Sequence, residues 1–233
     1  ARRFRALINR LWGGAQAGKP VRLVVPFTPG GSTDILARAL APKLAAALGQ
    51  NVIVDNKPGA GGSLGATEVA RAEADGQTLL MGHIGTLAVN PSIYPKLGYD
   101  PVRSFVAVAW VARVPNVLVV NAQSPLRNLK QFVERAKAMP GQLSYSSGGN
   151  GSAAHITFEY LKLTTKTFLL HIPYRGTAPS VTDLIAGQVD ATFTGTPAVL
   201  PHIKSGRLRA LAVSSAQRQR PESRRACPSI RCL

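Results

Sequence analysis

Acidic residues are scarce: 11 Asp and Glu stand against 28 Lys and Arg in 233 residues, a formal net charge of +17. Aromatic residues are scarce too, at 6%. Base-stacking surfaces interleave aromatic rings with their cations, so this shortage argues against a nucleic-acid partner despite the charge. The charge is also unevenly placed. Residues 1–19 hold Arg2, Arg3, Arg5, Arg10 and Lys19 with no acid, and residues 218–233 hold five arginines against Glu222. Without those ends the body keeps 18 basic and 10 acidic residues, a bias suited to drawing small anions toward a cleft.

Long apolar runs are missing as well. The longest candidate, Phe105 to Val120, is broken by Arg113, Pro115 and Asn116, far from the roughly 20 apolar residues of a membrane helix. A soluble chain is expected. Only two cysteines occur, Cys227 and Cys232; they are too close together to staple a core and lack companions for a zinc site. No metal or cofactor is implied. Ala15-Gln16-Ala17 has the small-x-small pattern of a signal-peptidase site, but the stretch before it is mixed rather than apolar.

Catalytic signatures are equally thin. Gly59 to Gly65 resembles a dinucleotide fingerprint, yet the spacing is not G-x-G-x-x-G and no acidic residue ends a strand about 20 residues on. There is no phosphate-binding G-x-x-x-x-G-K motif and no G-x-S-x-G elbow. His83, His155, His171 and His202 have no ligand-like spacing. The sequence makes no case for an enzyme.

What the chain does have is alternation. Short β-branched runs at 21–25, 51–55, 78–82, 143–146, 168–172, 191–193 and 209–213 alternate with helical stretches at 34–48, 63–74, 126–138, 153–163, 178–186 and 199–205. That order predicts an α/β fold with a mostly parallel sheet. Ile35, Leu36, Ala39, Leu40 and Leu44 define the predicted buried face of the first helix, which Pro42 should kink or shorten. Two strands in direct succession, 106–111 and 116–120, mark the expected crossing between two lobes.

Three strand-to-helix loops are rich in Gly, Ser and Thr: Phe27 to Asp34, Ser146 to Ser152, and Tyr174 to Pro179. Ligands of such sheets bind where a strand's carboxyl end leads into a helix. Helix N-termini offer free N–H groups and a positive dipole end to an anion. An ordinary capped turn would use the same residues. His155, one turn into its helix, is read as packed or surface, and Arg175 as a solvated loop residue. Phe27 and Tyr174 serve equally as ligand walls or as core.

The run from Lys19 through Val25-Pro26-Phe27-Thr28-Pro29-Gly30-Gly31-Ser32-Thr33-Asp34 resembles the opening of the tripartite tricarboxylate transporter substrate-binding proteins, the Bug family. The likeness continues through Gly49–Gly62, Asn90-Pro91, Tyr99-Asp100-Pro101, Ser144–Ser152, Pro173–Pro179, Asp183–Asp190 and Gly206–Val213. The resemblance implies a two-lobed α/β periplasmic binding protein type II fold, C-terminally truncated, that closes on a small organic carboxylate. It implies no enzymatic activity, a periplasmic location and membrane transporter subunits as partners. It also implies that Gly31, Ser32 and Thr33 donate to the ligand, with Asp34 as cap and polar anchor and Phe27 beside them. Ser147, Gly149 and Ser152 would donate from the facing lobe. Thr86 and Thr177 are second-rank candidates, and Asp183 would orient the loop or a water. The expected division is a basic segment at 1–18, lobe 1 at 19–115, lobe 2 at 116–213 and a divergent tail at 214–233. The alternatives are an enzyme acting on a small anion, or a non-functional remnant.

Overall fold

The computed structural model describes residues 19–215 and the backbone of 231–232. The segment around Ala15–Ala17 and Cys227, and most of the expected tail, lie outside the described residues. The chain opens with strand β1 (Val21–Val25), helix α1 (Ser32–Leu48), strand β2 (Val52–Asn56), helix α2 (Ser63–Ala70) and strand β3 (Thr78–Leu80). These strands form a small parallel sheet in the order β2-β1-β3. A π-helical turn (Gly85–Val89) and the short helix α3 (Asn90–Ile93) follow.

The rest of the chain builds a larger sheet. Its elements are β4 (Asn116–Asn121), α4 (Leu129–Ala138), β5 (Ser144–Ser147), α5 (Ala153–Thr165), β6 (Leu170–Pro173), α6 (Thr177–Ile185), β7 (Ala191–Gly195), α7 (Thr196–Lys204), β8 (Leu208–Val213) and β9 (Arg231–Cys232). The order is β6-β5-β7-β4-β8-β9. It is a mixed sheet, because β4 runs antiparallel to both β7 and β8. The crossing strand enters against the direction of its neighbours, which the alternation of strands and helices alone does not reveal.

Strand β4 shows why this sheet is stable. Its side chains alternate between faces, so Leu118 and Val120 join Phe132, Tyr145, Phe158 and Phe193 in one core. Val117 and Val119 join Val181, Leu184, Val199 and Leu208 in the other. Each fully buried side chain of this size contributes about 1.5–3 kcal/mol. The small sheet has a smaller core built on Leu23, Val25, Ala37 and Met81.

Two expectations about the first helix are corrected in part. Its fully buried residues are Asp34, Ala37 and Ala41, and Leu36, Leu40 and Leu44 are half-buried as expected, with Leu36 against the small core, whereas Ile35 is 37% exposed and Ala39 is exposed. Small side chains let the helix lie close to the sheet, and the burial of Asp34 turns the face away from the greasier stripe. Pro42 neither ends nor divides the helix, which runs on to a left-handed Gly49 cap. Pro42 and Arg38 are both exposed, so the Arg38 carbonyl that loses its partner can turn to water.

The strand expected at 106–111 is absent. Residues 105–115 are irregular and have no ladder partner among the described residues. Val106 and Trp110 are 85% and 76% exposed. The β-branched composition is there, but the propensity of a strand is realised only against a neighbour.

On the small sheet, Arg22 bridges Asp55 at 2.6 Å and Glu68 at 2.5 Å. All three side chains are well solvated, which screens the pairing. Arg22→Met, which keeps the aliphatic stem, is expected to lower unfolding free energy by less than about 1 kcal/mol. Urea unfolding checks this; a loss of several kcal/mol would mean that the network fixes β1 against β2 and α2.

Candidate functional site

The helix N-termini of α1, α6 and α7 meet where the two sheets face each other. A Cβ placed at Gly31, which precedes α1, would stand 3.5 Å from Thr177 Oγ1 at the start of α6. One placed at Gly195, which precedes α7, would stand 2.2 Å from Ser32 Oγ. One at Gly176 would fall 1.8 Å from Thr28 Oγ1. The first N–H groups of a helix have no intrahelical partner, so α1 and α6 bring free donors to the seam, while at the start of α7 the Thr196 N–H already donates to the Pro115 carbonyl and Pro197 has none. Thr28 Oγ1 and Ser32 Oγ are buried there without any hydrogen-bond partner. Buried hydroxyls are normally satisfied, so these two stand out among the described residues.

Asp34 holds the first loop in shape. Its Oδ2 accepts from Gly30 N–H at 2.9 Å and Arg38 Nε at 3.0 Å, and its Oδ1 accepts from Asn56 Nδ2 at 3.0 Å. Asn56 Nδ2 also donates to the Phe27 carbonyl at 3.0 Å. Burial pushes the Asp34 carboxyl up, but these hydrogen bonds and the Arg38 charge outweigh it and hold it below its ordinary value. Asp34 is therefore an internal brace whose charge is already matched. Thr33 is half-buried in the same first turn. Phe27 packs edge-on against His83, with centroids 5.0 Å apart, and forms the wall behind the loop.

The second loop is tied inward. The Ser147 hydroxyl is fully buried, 2.7 Å from His171 Nε2 and 3.2 Å from Gly149 N. So placed it is no exposed nucleophile. Gly149 takes φ +115, and a Cβ there would lie 3.2 Å from the Tyr174 carbonyl. Ser152 caps α5 by accepting from His155 N–H at 3.3 Å. Gly151 N–H donates to His155 Nδ1 at 3.2 Å.

The remaining candidates are more dispersed. Thr86 is fully buried, and its hydroxyl donates to the Gly61 carbonyl at 3.3 Å. Asp183 lies further along α6 and accepts from Tyr174 OH at 2.6 Å. Burial, with Asp183 as second cause, pushes the Tyr174 phenol up to about 12. Arg175 is exposed. The structure thus brings Gly31, Ser32 and Thr177 to the seam, sets Gly149 against the Tyr174 carbonyl, and leaves Asp34, Thr86, Ser147, Ser152 and Asp183 with internal partners.

Sequence reasoning passed over Thr28 and the facing glycines Gly176 and Gly195. It also passed over Asn90, which is fully buried and donates to the Gly61 carbonyl and Ser63 Oγ, both at 2.9 Å. Thr28 lies inside the loop already singled out; the others depend on contacts between distant parts of the chain. No group of three or more His, Cys, Asp or Glu able to hold a metal occurs among the described residues.

Two α/β sheets facing each other across a seam of helix N-termini define a two-lobed, type II periplasmic binding protein fold. Residues 36–231 match the tripartite tricarboxylate transporter family receptor family, and the chain belongs to that family. It is 43% identical over 201 residues to Protein BugT of Bordetella pertussis, covering 86% of this chain and 62% of that protein. Among solved structures it is similar to the periplasmic binding protein BugD, with 40% identity, a TM-score of 0.82, and coverage of 85% of this chain and 66% of that one. It is also similar to Rpa4515 of R. palustris with adipate, at 38% identity and a TM-score of 0.84, covering 87% and 68%. The chain thus spans about three fifths of the length of its curated relative.

Proposed function

We propose that this chain is the substrate-binding part of a solute uptake system, holding a small organic carboxylate between a first lobe at 19–115 and a second at 116–213. The single observation that carries the reading is the pair of buried, unpartnered hydroxyls of Thr28 and Ser32 at the junction of three helix N-termini. Hydroxyls and amide N–H groups together complement a carboxylate. The adipate bound to a relative 38% identical supports that chemistry. Ser32, Thr33 and Thr177 would donate from the helix starts, and Ser152 and Gly149 from the opposite rim. Arg38 is engaged by Asp34, so backbone and hydroxyl groups carry the recognition. The ligand is bound and released unchanged, in the periplasm, and the closed form is what membrane transporter subunits recognise. Among the described residues no helix is long and apolar enough to cross a membrane.

Thermal unfolding with adipate, malate and the neutral diamide adipamide tests this. A ligand at 100 times its Kd adds about 2.7 kcal/mol, or roughly 5–10 °C for a domain of this size. The expected result is a rise with at least one dicarboxylate and none with adipamide. An equal rise with adipamide, or no rise with either acid, would count against carboxylate recognition.

A further inference from the structure

Behind the second loop stands a column of four rings. Phe158 stacks on Tyr145 at 4.2 Å, Tyr145 on His171 at 4.7 Å and His171 on His155 at 4.3 Å, all within 26° of parallel. The column runs from the core of the larger sheet to the Gly148–Ser152 loop, where His155 touches the loop itself and His171 touches Ser147 at its start. His155 Nδ1 accepts from Gly151 N–H, and His171 Nε2 meets the Ser147 hydroxyl, which in turn accepts from Gly149 N–H. The loop is therefore hung on two imidazoles.

We propose that His155 and His171 are positioning residues of the ligand site, whose neutral rings hold the Gly148–Ser152 loop in its binding shape and whose protonation in acid releases the loop and its carboxylate. The idea rests on the reading of that loop as one rim of the site. Nδ1 of His155 can accept from Gly151 only while it carries no proton. A proton there sets one donor against another and breaks the contact. On His171, protonation fixes Nε2 as a donor to Ser147 Oγ, which leaves that hydroxyl only the Gly149 carbonyl at 3.2 Å to donate to. Two stacked imidazolium rings also repel, so once one ring is charged the second proton is resisted.

The groups facing the pair set the direction. On α5, Glu159 Oε1 stands 3.9 Å from His155 Nε2 and accepts from Lys162 Nζ at 2.8 Å. Tyr145 on β5 also donates to Glu159, and Lys162 Nζ lies 5.5 Å from the centre of the Tyr145 ring. The carboxylate is thus shared between a lysine and a phenol and offers little to an imidazolium. Burial, reinforced by His155, holds His171 down to about 4, and burial likewise lowers His155. Both rings are neutral near pH 7 and take up protons only in acid.

The test follows imidazole and amide signals of the ligand-free chain by NMR from pH 7 to 3, alongside adipate affinity. The expected result is that the Gly151 amide shift moves with the midpoint of His155 and the Gly149 amide shift with that of His171, both below pH 6.5. Adipate affinity should fall through each midpoint more steeply in the wild type than in the variant that lacks that imidazole, His155→Phe or His171→Phe, which keep a stacked ring. The excess should be about twofold at the midpoint and approach tenfold per pH unit below it. The acid's own titration is common to all three proteins and cancels. Imidazoles that titrate while both amides stay still, or identical affinity profiles in wild type and variants, would overturn the proposal. If adipate does not bind even at pH 7, the carboxylate reading fails, while the amide signals still decide whether the histidines hold the loop.

Discussion

Asp34→Ala is expected to lower unfolding free energy by about 1–2 kcal/mol and to weaken adipate binding at least a hundredfold. The cost comes from what is left behind: the Gly30 N–H, the Arg38 guanidinium and the Asn56 amide all lose an acceptor. Gly30 is exposed and the Arg38 side chain is 53% exposed, so these groups can turn to water and the loss stays below the roughly 3–5 kcal/mol of a fully buried pair. The affinity falls further than stability alone would suggest, because Gly30 and Gly31 lose the anchor that aims the first turn of α1. Asp34→Asn keeps one oxygen for Asn56 but sets its NH2 against Gly30 N–H and Arg38, so about half the effect is expected. Removing a carboxylate near an anion site could instead tighten binding by relieving repulsion. The pairing with Arg38 argues that geometry wins. Urea unfolding and titration calorimetry of the two variants decide it, and tighter binding by Asp34→Ala would show that the residue opposes the ligand.

The same residue shows how far the sequence can be read. Strands and helices were legible wherever composition and period agreed, as along β4, where consecutive valines and leucines fill two cores at once. The phase of α1 was not legible, because hydrophobic periodicity counts Ile35 and Ala39 as core and an aspartate as surface. Only the hydrogen bonds from residues 30, 38 and 56 make Asp34 an interior group. The 106–111 stretch failed for the complementary reason, since its composition is right but no described strand lies alongside it. Within the site, the loops stood out by their Gly and Ser content. Which hydroxyls face the seam and which are consumed internally did not. Ser147 and Thr86 look like donors in the sequence, yet the Ser147 hydroxyl is engaged by His171 and the Gly149 carbonyl, and the Thr86 hydroxyl by the Gly61 carbonyl. Thr28 and Ser32 look no different and remain unpartnered. Small polar residues have one appearance in a sequence and two roles in a fold.

The sharpest consequence of the seam concerns Gly176, which lies between the two sheets rather than inside either. Its φ of +148 is unfavourable for any residue with a Cβ, and that Cβ would also lie 1.8 Å from Thr28 Oγ1 and 2.8 Å from Thr28 Cβ. Gly187 offers a matched control, because it takes φ +77 with nothing within 4 Å of an added Cβ. Gly187→Ala should therefore cost only the backbone strain, about 1 kcal/mol, and leave adipate affinity within twofold. Gly176→Ala should cost about 1–3 kcal/mol in strain and, beyond that, cut adipate affinity by a hundredfold or more by wedging the lobes apart. Overlap at the contact can be relieved from the other side. Thr28→Gly in the Gly176→Ala background removes the opposing atoms together with the Thr28 hydroxyl, so the double variant should bind adipate about as tightly as Thr28→Gly alone, both more weakly than the wild type, while the strain at residue 176 persists. That pattern requires the residue 28 and residue 176 loops to meet in the ligand-bound form. Calorimetric titration of these variants, with Thr28→Gly alone included, reads it directly. Wild-type affinity in Gly176→Ala would mean that the ligand is held without this contact. A loss that Thr28→Gly cannot repair would place the effect in the backbone ahead of α6 rather than between the lobes.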